Sequence, residues 1–298
     1  MAESCSIERI ILGTSGIGGL WGKPAPGEPE ETILAALAAG ITAIDTAPAY
    51  GDAELHVGRA LQQWKGEQPA ISTKAGRLRG YSVNDGNYDY SAAGMLASVE
   101  NSLAVLNIPV LDILFLHDPQ HLPPDKIGEV LHGLTLIKNK GYAKAIGLGG
   151  NPPAWFLPHL YSGDFEVLME FNRLNACNIT ALEDSLLQCK AHHLRYFAAS
   201  PLNMGLLGKC FEQFVADPPE WLNRPVIKKA LLLKALADKN NLELAAMAIR
   251  YLLSKPGDFQ IVIGPSNRKE LEQTLSILKQ GPLPAELMVE IEAINRPN

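Results

Sequence analysis

The stretch that decides the fold runs from Gly40 to Leu61 and reads GITAIDTAPAYGDAELHVGRAL. It begins as a short apolar segment that ends on Asp45, presents Tyr50 in a loop, and continues with helical periodicity from about residue 53. A short apolar strand followed directly by an amphipathic helix is one βα unit. The fold therefore depends on how often this unit recurs along the chain.

The βα unit recurs from one end of the sequence to the other. Short segments rich in Ile, Leu and Val alternate with longer segments of helical periodicity. The predicted strands are Ile10 to Leu12, Ile41 to Asp45, Ala70 to Lys74, Asp112 to His117, Ala143 to Leu148, Glu166 to Phe171, Arg195 to Ala199 and Gln260 to Ile263. The predicted helices span about 29–39, 53–64, 92–106, 124–139, 153–161, 180–192, 227–239, 242–254 and 268–279.

Eight such units within 298 residues predict an α/β protein with a (β/α)8 TIM barrel. A doubly wound open sheet is the rival fold, and it should show a GxGxxG dinucleotide motif in its first βα turn. The segment LGTSGIGGLWG carries Gly16, Gly18 and Gly19 but lacks that spacing, which argues against the rival. No low-complexity linker divides the chain, so we expect a single domain over residues 1–298.

Composition narrows the class of protein. The formal net charge of −6, with no long Lys/Arg run, argues against a nucleic-acid or anionic-membrane surface. No signal-peptide pattern or long apolar segment is found, so a cytoplasmic location without membrane partners is expected, as a monomer or weak homo-oligomer. The four cysteines and seven histidines show neither CxxC nor HExxH spacing, and no metal site is predicted.

Three predicted strands end on ionisable side chains, Asp45, Lys74 and His117, and Tyr50 follows the first of them. In a βα barrel the C-terminal ends of the strands meet at one mouth, where reactive groups lie. A lysine beside a tyrosine should lower the pKa of the phenol, a carboxylate should keep the lysine charged, and an imidazole can bind a carbonyl oxygen. The four side chains together predict a proton donor for a carbonyl.

The motifs GITAIDTAPAYGDAELHVGRAL, ISTK and DILFLHDP resemble those of the aldo-keto reductase superfamily over nearly the whole chain. The resemblance implies that Asp45, Tyr50, Lys74 and His117 form the catalytic tetrad. STKAGR, YDYS, LFLHDP and ASPLNMGLLG further resemble a subgroup of aldose 1-dehydrogenases, together with pyridoxal 4-dehydrogenase. A small-molecule substrate and a nicotinamide cofactor, NAD(P)(H), are implied.

By the same resemblance, the cofactor would lie across the barrel mouth, with its pyrophosphate at Ser200 to Gly208 and its adenosine end at Ile263 to Leu275. The preference between NAD and NADP stays open, because Glu270 would repel a 2′-phosphate whereas Arg268 or Lys269 could bind it. The predicted cofactor contacts are Asn151, Asn172, Ser200, Pro201, Leu202, Met204, Gly205, Gly264, Ser266, Asn267, Arg268, Glu270, Gln273 and Thr274.

Substrate contacts are expected from aromatic side chains in the loops, namely Trp21, Tyr81 and Tyr88, which can stack on a sugar or ring face. The expected reaction is hydride transfer between nicotinamide and a carbonyl or alcohol, with oxidation of an aldose at C1 to a lactone as the leading case. Three alternatives remain: a pyridoxal-type alcohol dehydrogenase, a Schiff-base lyase using Lys74, and a cofactor-binding regulatory module similar to potassium-channel β subunits.

Overall fold

The strands pair in parallel, each with the next along the chain and the last with the first, so the sheet closes into a barrel. The computed structural model describes residues 7–20, 24–82 and 85–296. The predicted (β/α)8 TIM barrel is confirmed. Its strands are β1 (Ile10–Gly13), β2 (Ala43–Asp45), β3 (Ala70–Ala75), β4 (Leu111–His117), β5 (Ala143–Gly149), β6 (Val167–Phe171), β7 (Arg195–Ala199) and β8 (Phe259–Ile263).

Helices cover the outside of the barrel and return the chain to the start of each next strand, as parallel pairing requires. Within the described ranges, none is long and apolar enough to cross a membrane. They are α1 (Glu28–Ala38), α2 (Ala53–Gln63), α3 (Ala92–Leu106), α4 (Ile127–Asn139), α5 (Leu157–Leu160), α6 (Thr180–Glu183), α7 (Ser185–Ala191), α8 (Phe211–Ala216), α9 (Arg224–Lys239), α10 (Leu244–Ser254), α11 (Arg268–Lys279) and α12 (Ala285–Asn295).

The strands separate two apolar cores, because successive side chains point to opposite faces of a strand. The larger core lies between the sheet and the helices, and the smaller one fills the barrel. Bulky side chains such as Phe115, Met169 and Phe197 occupy the inside, so the barrel is a packed core without a channel. Any reactive chemistry is therefore confined to the mouth, where the C-terminal ends of the strands meet.

The register of the sheet brings polar side chains together at that mouth. Asp45 at the end of β2 pairs with Ser72 of β3, and Lys74 lies two residues further along the same face. His117 ends the neighbouring strand β4 and pairs with Gly149 of β5. Strand alternation thus directs these side chains into one space.

One predicted strand begins later than the pattern indicated, and one predicted helix is interrupted. β2 starts at Ala43 rather than Ile41, because the Ile41 N–H donates to the Ala36 carbonyl oxygen (3.1 Å) and completes the end of α1. The helix predicted over 180–192 breaks at Asp184, whose backbone (φ −134°, ψ −89°) is not helical, and becomes α6 and α7.

The helix predicted over 153–161 is mostly a tighter turn, with a 3₁₀ segment at Ala154–Phe156 before the four residues of α5. The short helix α8 and the C-terminal helix α12 were not predicted. In α12, Leu287 and Ile291 are buried one helical turn apart. The βα alternation did not require this helix, because no further strand follows it.

Candidate active site

Lys74 and Asp45 form a buried ion pair at the barrel mouth, with 2.5 Å between Lys74 Nζ and Asp45 Oδ2. Lys74 also donates to the Thr46 carbonyl oxygen (2.9 Å), and the Ser72 hydroxyl donates to Asp45 Oδ1 (2.8 Å). Burial alone would lower the pKa of Lys74, but Asp45 and then Tyr50 outweigh it, so the pKa is raised. The site therefore holds a fixed ammonium group.

Tyr50 is delivered to this ammonium by a turn that packs on a glycine of the β1 loop. A β-carbon at Gly18 would lie 1.7 Å from the Tyr50 carbonyl oxygen, and the Gly18 carbonyl accepts from the Asp52 N–H (3.1 Å). Lys74 Nζ lies 4.8 Å from the centroid of the Tyr50 ring. Sequence reasoning considered Gly18 only as part of a dinucleotide motif and missed this close approach.

Lys74 lowers the pKa of Tyr50 as expected, but the net pKa of the phenol is raised. Loss of water around the phenol raises the pKa and is the largest influence. Lys74 opposes this effect, while the negative charges of Asp45 and Asp118 add to it. Tyr50 is therefore a neutral phenol at pH 7 that holds a proton for donation.

His117 lies edge-on to Tyr50, with 5.8 Å between the ring centroids and 87° between the planes. The pKa of the imidazole is lowered to about 3, mainly by burial. The negative charge of Asp118 opposes this effect, whereas the positive charges of Lys74 and Arg77 add to it. His117 Nδ1 is buried and has no hydrogen-bond partner within the described ranges. The neutral ring can present one N–H to a substrate oxygen beside Tyr50.

Asp118 and Arg77 also belong to the mouth, and sequence reasoning assigned neither of them. Arg77 Nη1 donates to Asp118 Oδ2 (3.0 Å), and the side chains are mostly buried. The Tyr90 hydroxyl lies within hydrogen-bond distance of both the His117 (2.9 Å) and Asp118 (2.8 Å) carbonyl oxygens. The signal available in the sequence was the acidic residue directly after the strand-end histidine.

The predicted pyrophosphate loop after β7 has an unusual backbone. Ser200, Asn203 and Met204 all have positive φ, followed by Gly205 at φ 101°. Left-handed backbone is costly for residues with a β-carbon and is often retained at functional sites. Pro201 and Leu202 complete the loop, and the Ser200 hydroxyl lies 3.3 Å from Met204 Sδ.

Asn151 and Asn172, the two predicted cofactor contacts that follow β5 and β6, differ in whether their side-chain amide is already hydrogen-bonded. Asn151 uses both ends of its amide on the Phe171 backbone, with contacts of 3.2 Å. Asn172 Oδ1 is buried, and no donor among the residues described bonds it. A carboxamide N–H would satisfy this oxygen, so Asn172 fits a nicotinamide group, whereas Asn151 holds the two strands together.

The start of α11 is occupied by the protein's own groups. Asn267 Oδ1 accepts from the Glu270 N–H (2.9 Å), and Glu270 accepts from the Ser266 N–H (2.8 Å) and from Lys209 (2.9 Å). Burial tends to raise the pKa of Glu270, but the Ser266 N–H and Lys209 lower it on balance. A carboxylate therefore stands where the adenosine end is expected.

The other residues predicted at this end surround that carboxylate. Arg268 pairs with Glu272 one turn along the helix (2.8 Å) and is exposed. Gly264 follows β8, and Gln273 and Thr274 lie on α11, exposed and buried respectively.

Of the aromatic substrate contacts predicted from the sequence, Trp21 lies outside the described residues. Tyr81 is exposed at the rim, and its hydroxyl donates to Asp52 (3.1 Å). Tyr88 stacks on His121, with ring centroids 4.5 Å apart, so at least one of its faces packs against the protein. Across the described ranges, no group of three or more His, Cys, Asp or Glu could hold a metal ion.

Comparison with known proteins identifies the family of the chain. Residues 9–296 match the model of the aldo/keto reductase family. D-arabinose 1-dehydrogenase of Saccharomyces cerevisiae is 30% identical over 292 residues, which cover 92% of this chain and 83% of that protein. L-galactose dehydrogenase of Arabidopsis thaliana is 27% identical, with 98% of this chain and 91% of that protein covered.

Among solved structures, glycerol dehydrogenase from Gluconobacter oxydans superposes with a TM-score of 0.77 at 25% identity, over 97% of this chain and 93% of that one. The family match spans the strands, the mouth and the loops described above. The chain belongs to the aldo/keto reductase family and is an NAD(P)(H)-dependent oxidoreductase.

Proposed function

We propose that this enzyme interconverts an aldose and its lactone by hydride transfer at C1, with Tyr50 as the general acid and base. The observation that carries the proposal is the cluster of Tyr50, the Lys74–Asp45 ion pair and the neutral His117 at one mouth. The relatives named for dehydrogenation of D-arabinose, L-galactose and D-threo-aldose support the substrate class.

When bound, a nicotinamide cofactor would supply or accept the hydride, and the chain's own residues manage the proton and the substrate oxygen. In reduction, Tyr50 donates its phenolic proton to the carbonyl oxygen of the substrate. In oxidation, the Tyr50 phenolate takes the proton of the C1 hydroxyl. The N–H of neutral His117 donates to the same oxygen and aligns it.

Lys74 acts on Tyr50 through its charge. The ammonium stabilises the phenolate that exists after proton donation, and this interaction opposes the cost of forming an anion in a poorly hydrated place. Asp45 holds Lys74 in position and keeps it protonated. A charged lysine is a poor nucleophile, which disfavours a Schiff-base reaction at Lys74.

The test is a steady-state assay of aldoses, pyridoxal and simple aldehydes, each with NAD(H) and NADP(H). We expect turnover of at least one aldose, and Tyr50→Phe should lower kcat by about 100-fold or more while cofactor affinity stays within about threefold. Tyr142→Phe is the matched control, because its hydroxyl contacts Glu100 on the surface. If pyridoxal is the only compound oxidised, the substrate class is a pyridoxal-type alcohol instead of a sugar. Full activity of Tyr50→Phe would remove Tyr50 from its role.

A further inference from the structure

A second carboxylate lies beside His117, in addition to the one that binds Lys74. Asp118 follows β4 with a left-handed backbone (φ 53°), a conformation that Asp tolerates better than most residues. Its N–H donates to the Gly149 carbonyl oxygen (2.8 Å), and its own carbonyl lies 2.8 Å from the Tyr90 hydroxyl. These bonds hold the backbone in the conformation that places Asp118 Oδ1 4.0 Å from His117 Nε2.

The two carboxylate oxygens of Asp118 have different surroundings. Oδ2 accepts from Arg77 Nη1 (3.0 Å). Oδ1 lies 4.0 Å from His117 Nε2, too far for a hydrogen bond, and no donor in the described part of the chain bonds it. The Asp118 side chain is only 11% exposed, and its second carboxylate oxygen lies next to the imidazole.

Arg77 holds the Asp118 carboxylate through Oδ2 and connects it to the segment that contains Asp85 and Tyr88. Besides contacting Asp118, its guanidinium donates to the Asp85 carbonyl oxygen (3.3 and 3.1 Å), and its backbone bridges to Tyr88. The guanidinium also offsets the charge of Asp118. The pairing uses Oδ2 and leaves Oδ1 available to a ligand.

The ligand that suits Oδ1 is a hydroxyl group close to the reacting oxygen. A substrate oxygen that accepts from His117 Nε2 would lie about 2.9 Å from this nitrogen. A substrate hydroxyl that donates to Asp118 Oδ1 would have its oxygen about 2.7 Å from Oδ1. The two protein atoms are only 4.0 Å apart, so the pair suits two substrate oxygens that are close neighbours, as oxygens on adjacent carbons are.

We infer that Asp118 is a specificity-determining residue, whose Oδ1 accepts a hydrogen bond from the hydroxyl on the carbon adjacent to the reacting carbon. The inference rests on the proposed function, and for an aldose this group is the C2 hydroxyl. The enzyme then selects 2-hydroxylated substrates over analogues that carry hydrogen at that carbon, since these leave a charged acceptor without a donor.

The test compares two substrate pairs that differ only at the adjacent carbon. They are D-arabinose and 2-deoxy-D-ribose for oxidation, and glycolaldehyde and acetaldehyde for reduction. The wild type should favour the hydroxylated member of each pair by about 10- to 100-fold in kcat/KM, the range expected for a hydrogen bond to a charged group.

In Asp118→Asn, Arg77 should bind the amide oxygen, and the amide NH2 should then replace Oδ1. A donor stands where an acceptor was, so kcat/KM should fall by about 10- to 100-fold for the hydroxylated substrates and by less than about threefold for the others. The ratio within a pair is independent of the folded fraction, so partial misfolding does not mimic the effect. Asp112→Asn, at the other end of β4 and paired with Lys144, is the matched control.

An equal fall for both members of each pair would overturn the inference and leave Asp118 a support for the segment that contains Asp85 and Tyr88. A wild type without preference within either pair would overturn it as well. If the wild type reduces the aldehydes but oxidises no sugar, the proposed function fails, and the ratio for glycolaldehyde and acetaldehyde still decides the role of Asp118.

Discussion

Gly18 and Tyr50 are in direct backbone contact, so close that a β-carbon at Gly18 would lie 1.7 Å from the Tyr50 carbonyl oxygen. The contact joins the β1 loop to the turn that carries the tyrosine. Asp52 strengthens it by donating its N–H to the Gly18 carbonyl (3.1 Å). The position of the phenol therefore depends on a residue with no chemistry of its own.

Gly18→Ala should move the Tyr50 turn away from Lys74, since no backbone atom can remain at that distance from a β-carbon. We expect kcat to fall by about 100-fold, the order of effect of a displacement near 1 Å at a reacting group. Steady-state kinetics measure it. Gly128→Ala is the control, because a β-carbon there meets no atom within 4 Å. A variant with normal kcat would contradict the contact.

Lys74→Met should destabilise the protein, because it leaves the buried Asp45 carboxylate without its cation. The expected loss in the free energy of unfolding is about 3–5 kcal/mol, measured by urea denaturation at pH 7. Lys138→Met, which removes an exposed pair with Glu166, should cost about 1 kcal/mol or less. Equal losses in the two variants would show that the Asp45 charge is relieved in another way.

The pH dependence of activity should follow Tyr50 rather than His117. Because the Tyr50 pKa is raised above 10.0, kcat/KM for reduction should stay level through neutral pH and fall only in alkaline solution, whereas oxidation should increase with pH. His117 is neutral above about pH 3, so it adds no step near its ordinary pKa of 6.5. Reduction profiles with an inflection near pH 6.5 would contradict this assignment.

The same histidine predicts a sensitivity of folding to acid. Its pKa is 6.5 when unfolded and about 3 when folded, so the unfolded chain binds more protons between these values. Stability should therefore fall as the pH decreases through that window, by at most about 1.4 kcal/mol per pH unit from this residue. Urea denaturation at pH 7 and pH 5 should show a smaller difference for His117→Gln than for the wild type.

Glu270→Gln should increase the relative affinity for NADP. The substitution removes a negative charge at the start of α11 and releases Lys209 from its 2.9 Å contact. We expect the ratio of Kd for NADP to Kd for NAD to fall by about tenfold, measured by fluorescence titration of both cofactors. Glu290→Gln, which removes a charge on α12 and its pair with Lys239, is the control. An unchanged ratio would place the 2′-position away from Glu270.

The barrel could be predicted because each βα unit is recognisable from the pattern of a few dozen neighbouring residues. Eight such units are the number that closes a parallel sheet into a TIM barrel. Asp45, Lys74 and His117 could be predicted for a related reason, since the C-terminal ends of parallel strands share one mouth. The interruption of the helix at Asp184 and the shortness of α5 could not be predicted, because packing against the barrel overrides helical periodicity there.

The sequence by itself determined the alternation of strands and helices, the family, and the residues that end the strands, since each is encoded within a few neighbouring positions. Only the tertiary structure decided the direction of the Tyr50 pKa, the free oxygen of Asp118 and the contact of Gly18 with the tyrosine turn. These properties depend on the exclusion of water and on distances between residues far apart in the chain.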